Sequence, residues 1–348
     1  MEKKRFSNLE LARLVAIVLI ILYHITIFRR DADSLRIYDS GFQFGQIWAY
    51  SLQMWGLTGV GIFFLISGWF LQEVEKVDVK KVILIILAVY FYNTIDMVVS
   101  IICGFNDKSL IYNLYSIMIS PLKFWYIPAY VFMYITAPWV RRIVKTISAE
   151  KLGRVLTFTT LVLPIFSSLF GGGITLSDCG FAVYYFVLVI WMKNNPDNMF
   201  EKHKRKILIS CVLFVFICAM SSTLLFHRVP GRIFEIIAGR FSIIQIITAI
   251  SLFYMFMNLN IGSVAVINRL AACTLGVYLI HESEIVRYFI WQKLIPLGEK
   301  FSDKKYPIYV FIGLIIILIG SLIIELLRQE LLEKYIKKLS IISRLSMQ

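Results

Sequence analysis

The chain has 348 residues, of which 59% are hydrophobic and only 17% are charged. This composition excludes a soluble globular domain, and apolar runs of roughly twenty residues recur along nearly the whole length, as in helical membrane proteins. The formal net charge of +14 does not indicate nucleic-acid binding, because Lys and Arg concentrate in loops and at helix ends, where anionic lipid headgroups attract them. The five cysteines form no CxxC pair, so neither a metal site nor a disulfide framework is predicted.

Ten apolar runs predict ten membrane-spanning helices. In chain order their approximate bounds are 9–28, 47–71, 82–103, 124–138, 155–170, 181–192, 207–226, 241–257, 270–291 and 308–327. The N-terminal MEKKR and the loops after the fourth and sixth runs are strongly basic, and basic segments favour the cytoplasmic side. We therefore expect an all-α, polytopic integral membrane protein with both termini in the cytoplasm.

A single membrane domain is predicted over residues 1–327. The remaining segment, 328–348, has apolar positions at helical spacing with Lys and Arg between them. This pattern is typical of an amphipathic helix that lies on the cytoplasmic membrane surface, and an eleventh span is not expected. We see no internal repeat, low-complexity segment or second soluble domain in the sequence.

The first apolar run contains three ionisable residues, Glu10, Arg13 and His24. Such residues are costly inside a bilayer and usually have a function there. Arg13 and His24 are eleven positions apart, which in a helix is within ~20° of a whole number of turns and gives ~16 Å of rise. The two side chains should therefore share one face, with Arg13 near the cytoplasmic surface and His24 deeper. Glu10, one turn before Arg13, is close enough to pair with it.

Each of these residues also has an ordinary structural interpretation. Arg13 would extend to the inner lipid headgroups, and His24 would hydrogen-bond a neighbouring helix. Their shared face favours a functional interpretation of both. A neutral histidine can accept the proton of a hydroxyl group, which makes His24 a candidate general base.

Four segments, in order along the chain, carry motifs of a known family. They are NLELARLVAIVLIILYH at 8–24, GVGIFFLISGWFL at 59–71, KFWYIPAYVFMYITAP at 123–138 and LGVYLIHE at 275–282. The matching side chains are Glu10, Arg13, His24, Phe63, Phe64, Ser67, Gly68, Trp125, Tyr126, Tyr278 and His281. Together these segments resemble the membrane acyltransferase-3 family. Glu10 stands where that family more often has Asp, and Trp69 replaces the usual Phe.

The resemblance implies an O-acyltransferase that moves an acyl group, commonly acetyl, from cytoplasmic acyl-CoA to a hydroxyl of a cell-surface or lipid-linked polysaccharide. Acyl-CoA would be the donor, and no metal is expected. The expected partners are membrane lipids and the carbohydrate acceptor, with no nucleic acid. A homo-oligomer, or an assembly with other proteins of a glycan pathway, is left open. The resemblance further implies the plasma membrane of a bacterium.

Candidate roles follow from the same motifs. His24 would be the catalytic base, or would itself take the acyl group, and Glu10 would hold Arg13 in position. The residues assigned to the acyl-CoA are Arg13, Ser67, Trp125 and Tyr126, and those assigned to the acceptor substrate are Tyr278, His281 and Glu282. Alternatives remain for most of them: Ser67 as a small helix-contact residue, Trp125 and Tyr126 as interfacial anchors, and His281 with Glu282 as a polar pair that ties helices together.

Two other functions are compatible with buried charges. A transporter of a polar solute or glycan would use them as a binding path, although its usual sign, corresponding broken helices in two halves, is missing from the sequence. The second alternative function is that of an amino-acid-binding membrane module of the same family. Asp96, Glu235 and Arg240 belong to no motif and are interpreted as structural ion-pair residues. The connector after SGWFL departs from the family pattern, because it has Lys80 and Lys81 but no arginine.

Overall fold

The computed structural model describes residues 6–27, 44–53, 55–104, 106–169, 178–225, 242–289 and 303–333. These residues form fifteen α-helices and no strand, so the predicted all-α class is confirmed. The helices are α1 (Ser7–Ile27), α2 (Phe44–Gln53), α3 (Gly56–Leu71), α4 (Val79–Ile102), α5 (Leu110–Met118), α6 (Ser120–Lys123), α7 (Tyr126–Lys145), α8 (Ala149–Leu169), α9 (Asp178–Asn194), α10 (Met199–Leu225), α11 (Ile243–Met257), α12 (Ala265–Ala271), α13 (Thr274–His281), α14 (Glu284–Tyr288) and α15 (Tyr306–Arg328). A π-helical turn, Gln329–Glu333, follows α15.

Several helices have the length or composition that a bilayer requires. Among the described residues, three segments are long and apolar enough to cross a membrane: Ser7–Thr26, Val79–Ile102 and Tyr306–Leu331. Gly56–Leu71, Ile243–Met257 and Ala265–His281 are shorter apolar helices. Hydrocarbon offers no hydrogen-bond partner to the backbone, and a helix forms all of its backbone hydrogen bonds internally. The chain is therefore a helical membrane protein, while the number of ten spans and the cytoplasmic position of both ends stay predictions.

Helix α1 lies in the middle of the described structure. It packs against α2, α3, α11, α12, α13 and α15. Its residues belong to two apolar clusters, because Ala12 and Ala16 are buried in one and Ile17 and Ile21 in the other. A helix that is apolar all round is buried in protein or faces lipid, and the packing of α1 against six helices brings its three ionisable residues into the interior.

Close packing of α1 and α3 depends on two glycines at the beginning of α3. A Cβ atom on Gly56 would overlap the ring of Tyr23, and one on Gly59 would lie 2.5 Å from the carbonyl oxygen of Ala16. The small residues at these positions let the two helix backbones approach, as is common between membrane helices. The approach fixes the position of α1 relative to the centre of the protein.

The prediction of one continuous helix over 47–71 is wrong. Helix α2 ends at Gln53 and α3 begins at Gly56. The two parts pack against different neighbours, since α2 contacts α10 whereas α3 contacts α9 and α11. Hydropathy does not reveal such a break, because the segments on both sides of it are apolar.

The prediction of one helix over 270–291 is also wrong. The segment is broken into α12, α13 and α14. The side chain of Ser283 accepts a hydrogen bond from the Val286 backbone N–H and begins α14 as an N-cap, which is a common helix-start signal. His281 is therefore the last residue of α13, and Glu282 lies in the break rather than in the middle of a helix.

Some residues named in the predictions lie outside the described part of the chain. They are Glu235, Arg240 and the part of the predicted amphipathic tail after residue 333. Asp96 lies in α4, where its carboxylate accepts a hydrogen bond from the Ser283 hydroxyl. This contact joins α4 to the break between α13 and α14.

Candidate active site

Arg13 is anchored near the N-terminal end of α1. Its Nη1 atom donates to both carboxylate oxygens of Glu10, at 3.0 and 3.3 Å. The guanidinium carbon lies 5.8 Å from the centre of the Phe70 ring on α3, within the range of a cation–π contact. The Glu10 side chain is 9% exposed and the Arg13 side chain 27%. The ion pair thus leaves part of the guanidinium free to meet another group.

His24 lies at the other end of the α1 face and has a partner at each ring nitrogen. Its Nδ1 is 2.8 Å from Nε2 of His281, and its Nε2 is 2.9 Å from Oε1 of Glu282. Both histidines are buried. The other Glu282 oxygen faces Nη1 of Arg287 at 4.0 Å. The break after α13 places these groups opposite α1, because His281 and Glu282 end the helix there.

Hydrogen-bond counting assigns the protons of this cluster. His281 Nδ1 is 2.7 Å from the carbonyl oxygen of Val277, which can only accept, so Nδ1 carries the hydrogen. A neutral His281 then accepts at Nε2, and His24 Nδ1 must donate to it. His24 Nε2 lies 2.9 Å from a carboxylate oxygen of Glu282, and a hydrogen bond between these two atoms also requires a hydrogen on one of them. One proton is therefore held between His24 and Glu282, on the imidazole or on the carboxyl group.

A cavity of about 470 Å³ joins Arg13 to His24. Most of its wall is apolar, with Ile17 and Ile20 from α1 and Val60 from α3. Polar and aromatic groups line much of the rest, among them Ser67, Trp125, Tyr126, Tyr130, Thr274, Tyr278, Glu282 and Arg287. We call this space the Arg13 cavity. Its lining suits a mostly apolar chain with a charged or polar end.

A second cavity, of about 590 Å³, lies at the His24 end of the protein. It is formed by the last turns of α4, the segment 106–117 with α5, and the residues that follow α13. Its lining contains many more polar groups, among them Asp96, Ser100, Asn106, Asn113 and Ser116. We call it the α5 cavity.

The two cavities share part of their lining. Trp125, Tyr278, Glu282 and Arg287 belong to both. His24 lines only the Arg13 cavity. Glu282 is therefore a point at which a molecule in one cavity and a molecule in the other can reach the same side chain.

The family of the chain follows from a comparison over nearly its whole length. Residues 6–326 match the acyltransferase domain that defines the acyltransferase 3 family. The chain belongs to this family. No curated protein and no solved structure matches the chain. Membership of the acyltransferase 3 family makes the protein a membrane acyltransferase, and the family resemblance seen in the four sequence segments is confirmed.

The structure brings together most of the residues that the motifs singled out. The Arg13 cavity is lined by Arg13, His24, Ser67, Trp125, Tyr126, Tyr278 and Glu282. His281 hydrogen-bonds to the ring of His24. Ser67 is a hydrogen-bond partner of the Tyr126 side chain. Glu10 lies apart from this group: it contacts Arg13 and, fourteen residues before His24, is about 21 Å away from it along the helix axis. Its contact is that of a positioning residue.

Two features were not apparent in the sequence. The first is the pairing of Glu282 with His24. The second is a buried ion pair in α15, where Arg328 Nε and Nη2 donate to Glu325 at 2.7 and 2.8 Å and Tyr92 donates to the same carboxylate. A Cβ atom on Gly276 would overlap this carboxylate, so the pair packs directly against α13. The available signal was the spacing of three residues between Glu325, in the last apolar run, and Arg328, directly after it.

The same cluster has the donor atoms of a metal site. One atom each from His24, His281 and Glu282 lies within 4.8 Å of the others. Two imidazoles and a carboxylate are common zinc ligands. In the structure, however, these atoms hydrogen-bond one another directly, and both ring nitrogens of His24 are used. The expectation of metal-free chemistry stays a prediction.

Proposed function

We propose that the protein transfers an acetyl group from cytoplasmic acetyl-CoA to a hydroxyl of a carbohydrate on the other side of the plasma membrane of a bacterium. The observation that carries this proposal is the His24–Glu282 pair: both residues line the Arg13 cavity, and Glu282 also lines the α5 cavity. Membership of the acyltransferase 3 family supports it. The basic N-terminus and basic loops support a cytoplasmic position for the Arg13 end.

The donor would occupy the Arg13 cavity. A guanidinium binds phosphate well because its planar donors match the oxygens, so Arg13 would contact a phosphate or polar group of CoA. The pantetheine arm would extend along the apolar wall of α1. The ~16 Å rise between Arg13 and His24 would then separate the phosphate end from the reacting thioester.

The acceptor would meet Glu282 from the α5 cavity. As the acceptor oxygen attacks the thioester carbonyl carbon, its O–H proton passes to the His24–Glu282 pair. The new C–O bond forms, the C–S bond breaks, and the pair gives a proton to the departing thiolate. The products are the acetyl ester and CoA with a free thiol, and the pair ends with the proton it began with. General acid–base catalysis of this kind contributes about 10²–10⁴-fold to a rate.

The test compares His24→Ala and Glu282→Gln with wild type in nanodiscs that contain radiolabelled acetyl-CoA and cell-envelope glycan. Each variant should transfer label at least about 100-fold more slowly, because neither can pass a proton between acceptor and thiolate. Binding of acetyl-CoA, measured by equilibrium dialysis, should stay close to that of wild type.

Matched substitutions control for general damage. His203 is an exposed residue of α10, and Glu330 pairs with Arg269 at the surface. His203→Ala and Glu330→Gln should therefore transfer label like wild type. A normal rate of transfer by Glu282→Gln would exclude the proposed proton transfer through the His24–Glu282 pair. Uptake of intact solute with no label in any glycan would favour a transporter.

A further inference from the structure

We infer that the α5 cavity is the acceptor site and that it takes a saccharide attached to a membrane lipid. The sugar would lie in the cavity and the hydrocarbon of the lipid beside α5. This inference rests on the proposed acetyl transfer and goes further by choosing between a lipid-linked acceptor and a free glycan. Three observations support it: the lining of the cavity, the two faces of α5, and the surface that continues from α4 onto α5.

The lining of the α5 cavity suits a sugar. Asn106 donates to the side chains of Ser100 and Asn113, at 3.2 and 3.0 Å, which shows that the amides are held in fixed orientations. The rings of Tyr112 and Trp125 also line the cavity. Hydroxyl groups of a sugar need such fixed donors and acceptors, and its apolar C–H face packs on aromatic rings.

Helix α5 has one polar face and a broad apolar surface. Asn113 is buried and lines the cavity together with Ser116. The side chains of Leu110, Ile111 and Met118 point the other way and are 67%, 81% and 63% exposed. An apolar surface of this kind is unfavourable in water and is typical of a helix that lies in a membrane interface.

The apolar surface of α5 continues that of a membrane-spanning helix. In the last turn of α4, Ile101 and Ile102 are 46% and 78% exposed, and α4 packs directly against α5 and α6. A span as apolar and as little buried as α4 faces lipid. The same leaflet therefore covers α5, so the polar lining of the cavity and the hydrocarbon of the membrane lie on opposite sides of one short helix.

This arrangement favours an amphiphilic acceptor. A lipid in that leaflet diffuses along the surface of α4 and α5, with its head at the level of the α5 cavity. Attachment to the membrane also raises the local concentration of the sugar at the cavity. A free glycan would have neither advantage.

The first test compares two acceptors with the wild-type protein in nanodiscs. One is the lipid-linked saccharide fraction extracted from cell membranes with organic solvent. The other is the same saccharide after mild acid has removed the lipid. At equal saccharide concentration, label from acetyl-CoA should enter the lipid-linked form at least about tenfold faster. Equal or faster labelling of the free saccharide would overturn the inference and leave the proposed transferase intact. No labelling of either, with no release of CoA, would overturn both.

The second test changes the lipid-facing surface of α5 without touching the cavity. Ile111→Asn should lower the rate with the lipid-linked acceptor by about tenfold, since a polar side chain now faces hydrocarbon. The rate with the free saccharide should not change. Ile217→Asn is the matched control, because Ile217 is an apolar residue on α10 that is 60% exposed and far from α5 in sequence. An equal loss in both variants, or with both acceptors, would contradict a specific role of α5.

A labelling experiment reports the position of α5 even where activity is lost. In a Cys103→Ser background, Ile111→Cys should resist a membrane-impermeant maleimide in intact proteoliposomes. Lys108→Cys, three residues earlier and exposed, should react. Equal reaction at both positions would place α5 in water and would contradict the inference.

Discussion

At the scale of single residues, Arg13 and His24 lie in different surroundings. Arg13 is held by Glu10 and Phe70 but keeps part of its guanidinium exposed to the cavity. His24 is buried and has a hydrogen-bond partner at each ring nitrogen, His281 and Glu282. A partly exposed cation suits the binding of a substrate group, and an enclosed imidazole suits the transfer of a proton.

Replacement of Arg13 should therefore affect donor binding more than the chemical step. For Arg13→Ala we expect the KM for acetyl-CoA to rise about tenfold, the effect of losing one hydrogen bond to a charged group. The value of kcat should change little. The KM for S-acetylpantetheine, which has no phosphate, should not change, so the preference of the enzyme for acetyl-CoA should fall by the same factor.

Steady-state kinetics with the two donors measures this effect. Arg154→Ala is a suitable control, because Arg154 is an exposed arginine that pairs with Glu150 and should leave both KM values unchanged. A fall in kcat with an unchanged KM would show that Arg13 does not bind the phosphate end of the donor.

The candidate residues of α1, Arg13 and His24, were predictable from the sequence. The spacing of Arg13 and His24 on one helix follows from helix geometry alone, and both line one cavity. The partner of His24 was not predictable in the same way. Glu282 is far from His24 in the chain, and a single sequence does not report which distant segments meet.

At the scale of helices, the contact between α1 and α3 determines where the reactive residues lie. Gly56 and Gly59 leave no room for a side chain against α1. A shift of α1 would move Arg13 and His24 together, because both belong to that helix. The small residues of α3 thus fix the position of α1, and Gly56 also lines the Arg13 cavity.

Gly59→Ala should lower both stability and activity. Its Cβ would lie 2.5 Å from the Ala16 carbonyl oxygen, and overpacking of this kind costs about 1–3 kcal/mol. Thermal unfolding in detergent should show a lower midpoint, and acetyl transfer should fall as α1 moves. Gly320→Ala is the control, since nothing lies within 4 Å of a Cβ there and alanine is the better helix former by about 1 kcal/mol. A Gly59→Ala protein as stable as the control would contradict the close contact.

Hydropathy located the apolar segments but not the helix breaks within them. The runs 47–71 and 270–291 are apolar throughout, yet each is interrupted where its two parts contact different helices or where Ser283 caps a new helix. Such interruptions depend on tertiary contacts. They matter because the second one places Glu282 beside His24.

At the scale of the whole protein, two cavities with different linings share Glu282, the hydrogen-bond partner of His24. The Arg13 cavity is mostly apolar, whereas polar and apolar groups contribute about equally to the lining of the α5 cavity. The buried Glu325–Arg328 pair and Tyr92 hold α4, α13 and α15 together beside them. In the proposed reaction the donor would occupy the Arg13 cavity and the acceptor the α5 cavity, and both would reach Glu282.

Acetyl transfer across a sealed bilayer tests this arrangement most directly. Envelope glycan is enclosed in proteoliposomes, and radiolabelled acetyl-CoA is added outside. We predict label in the enclosed glycan, release of CoA in the outer solution, and no label with His24→Ala. Transfer that occurs only after the vesicles are opened with detergent would show that donor and acceptor must be on the same side, and would contradict a reaction between the two cavities.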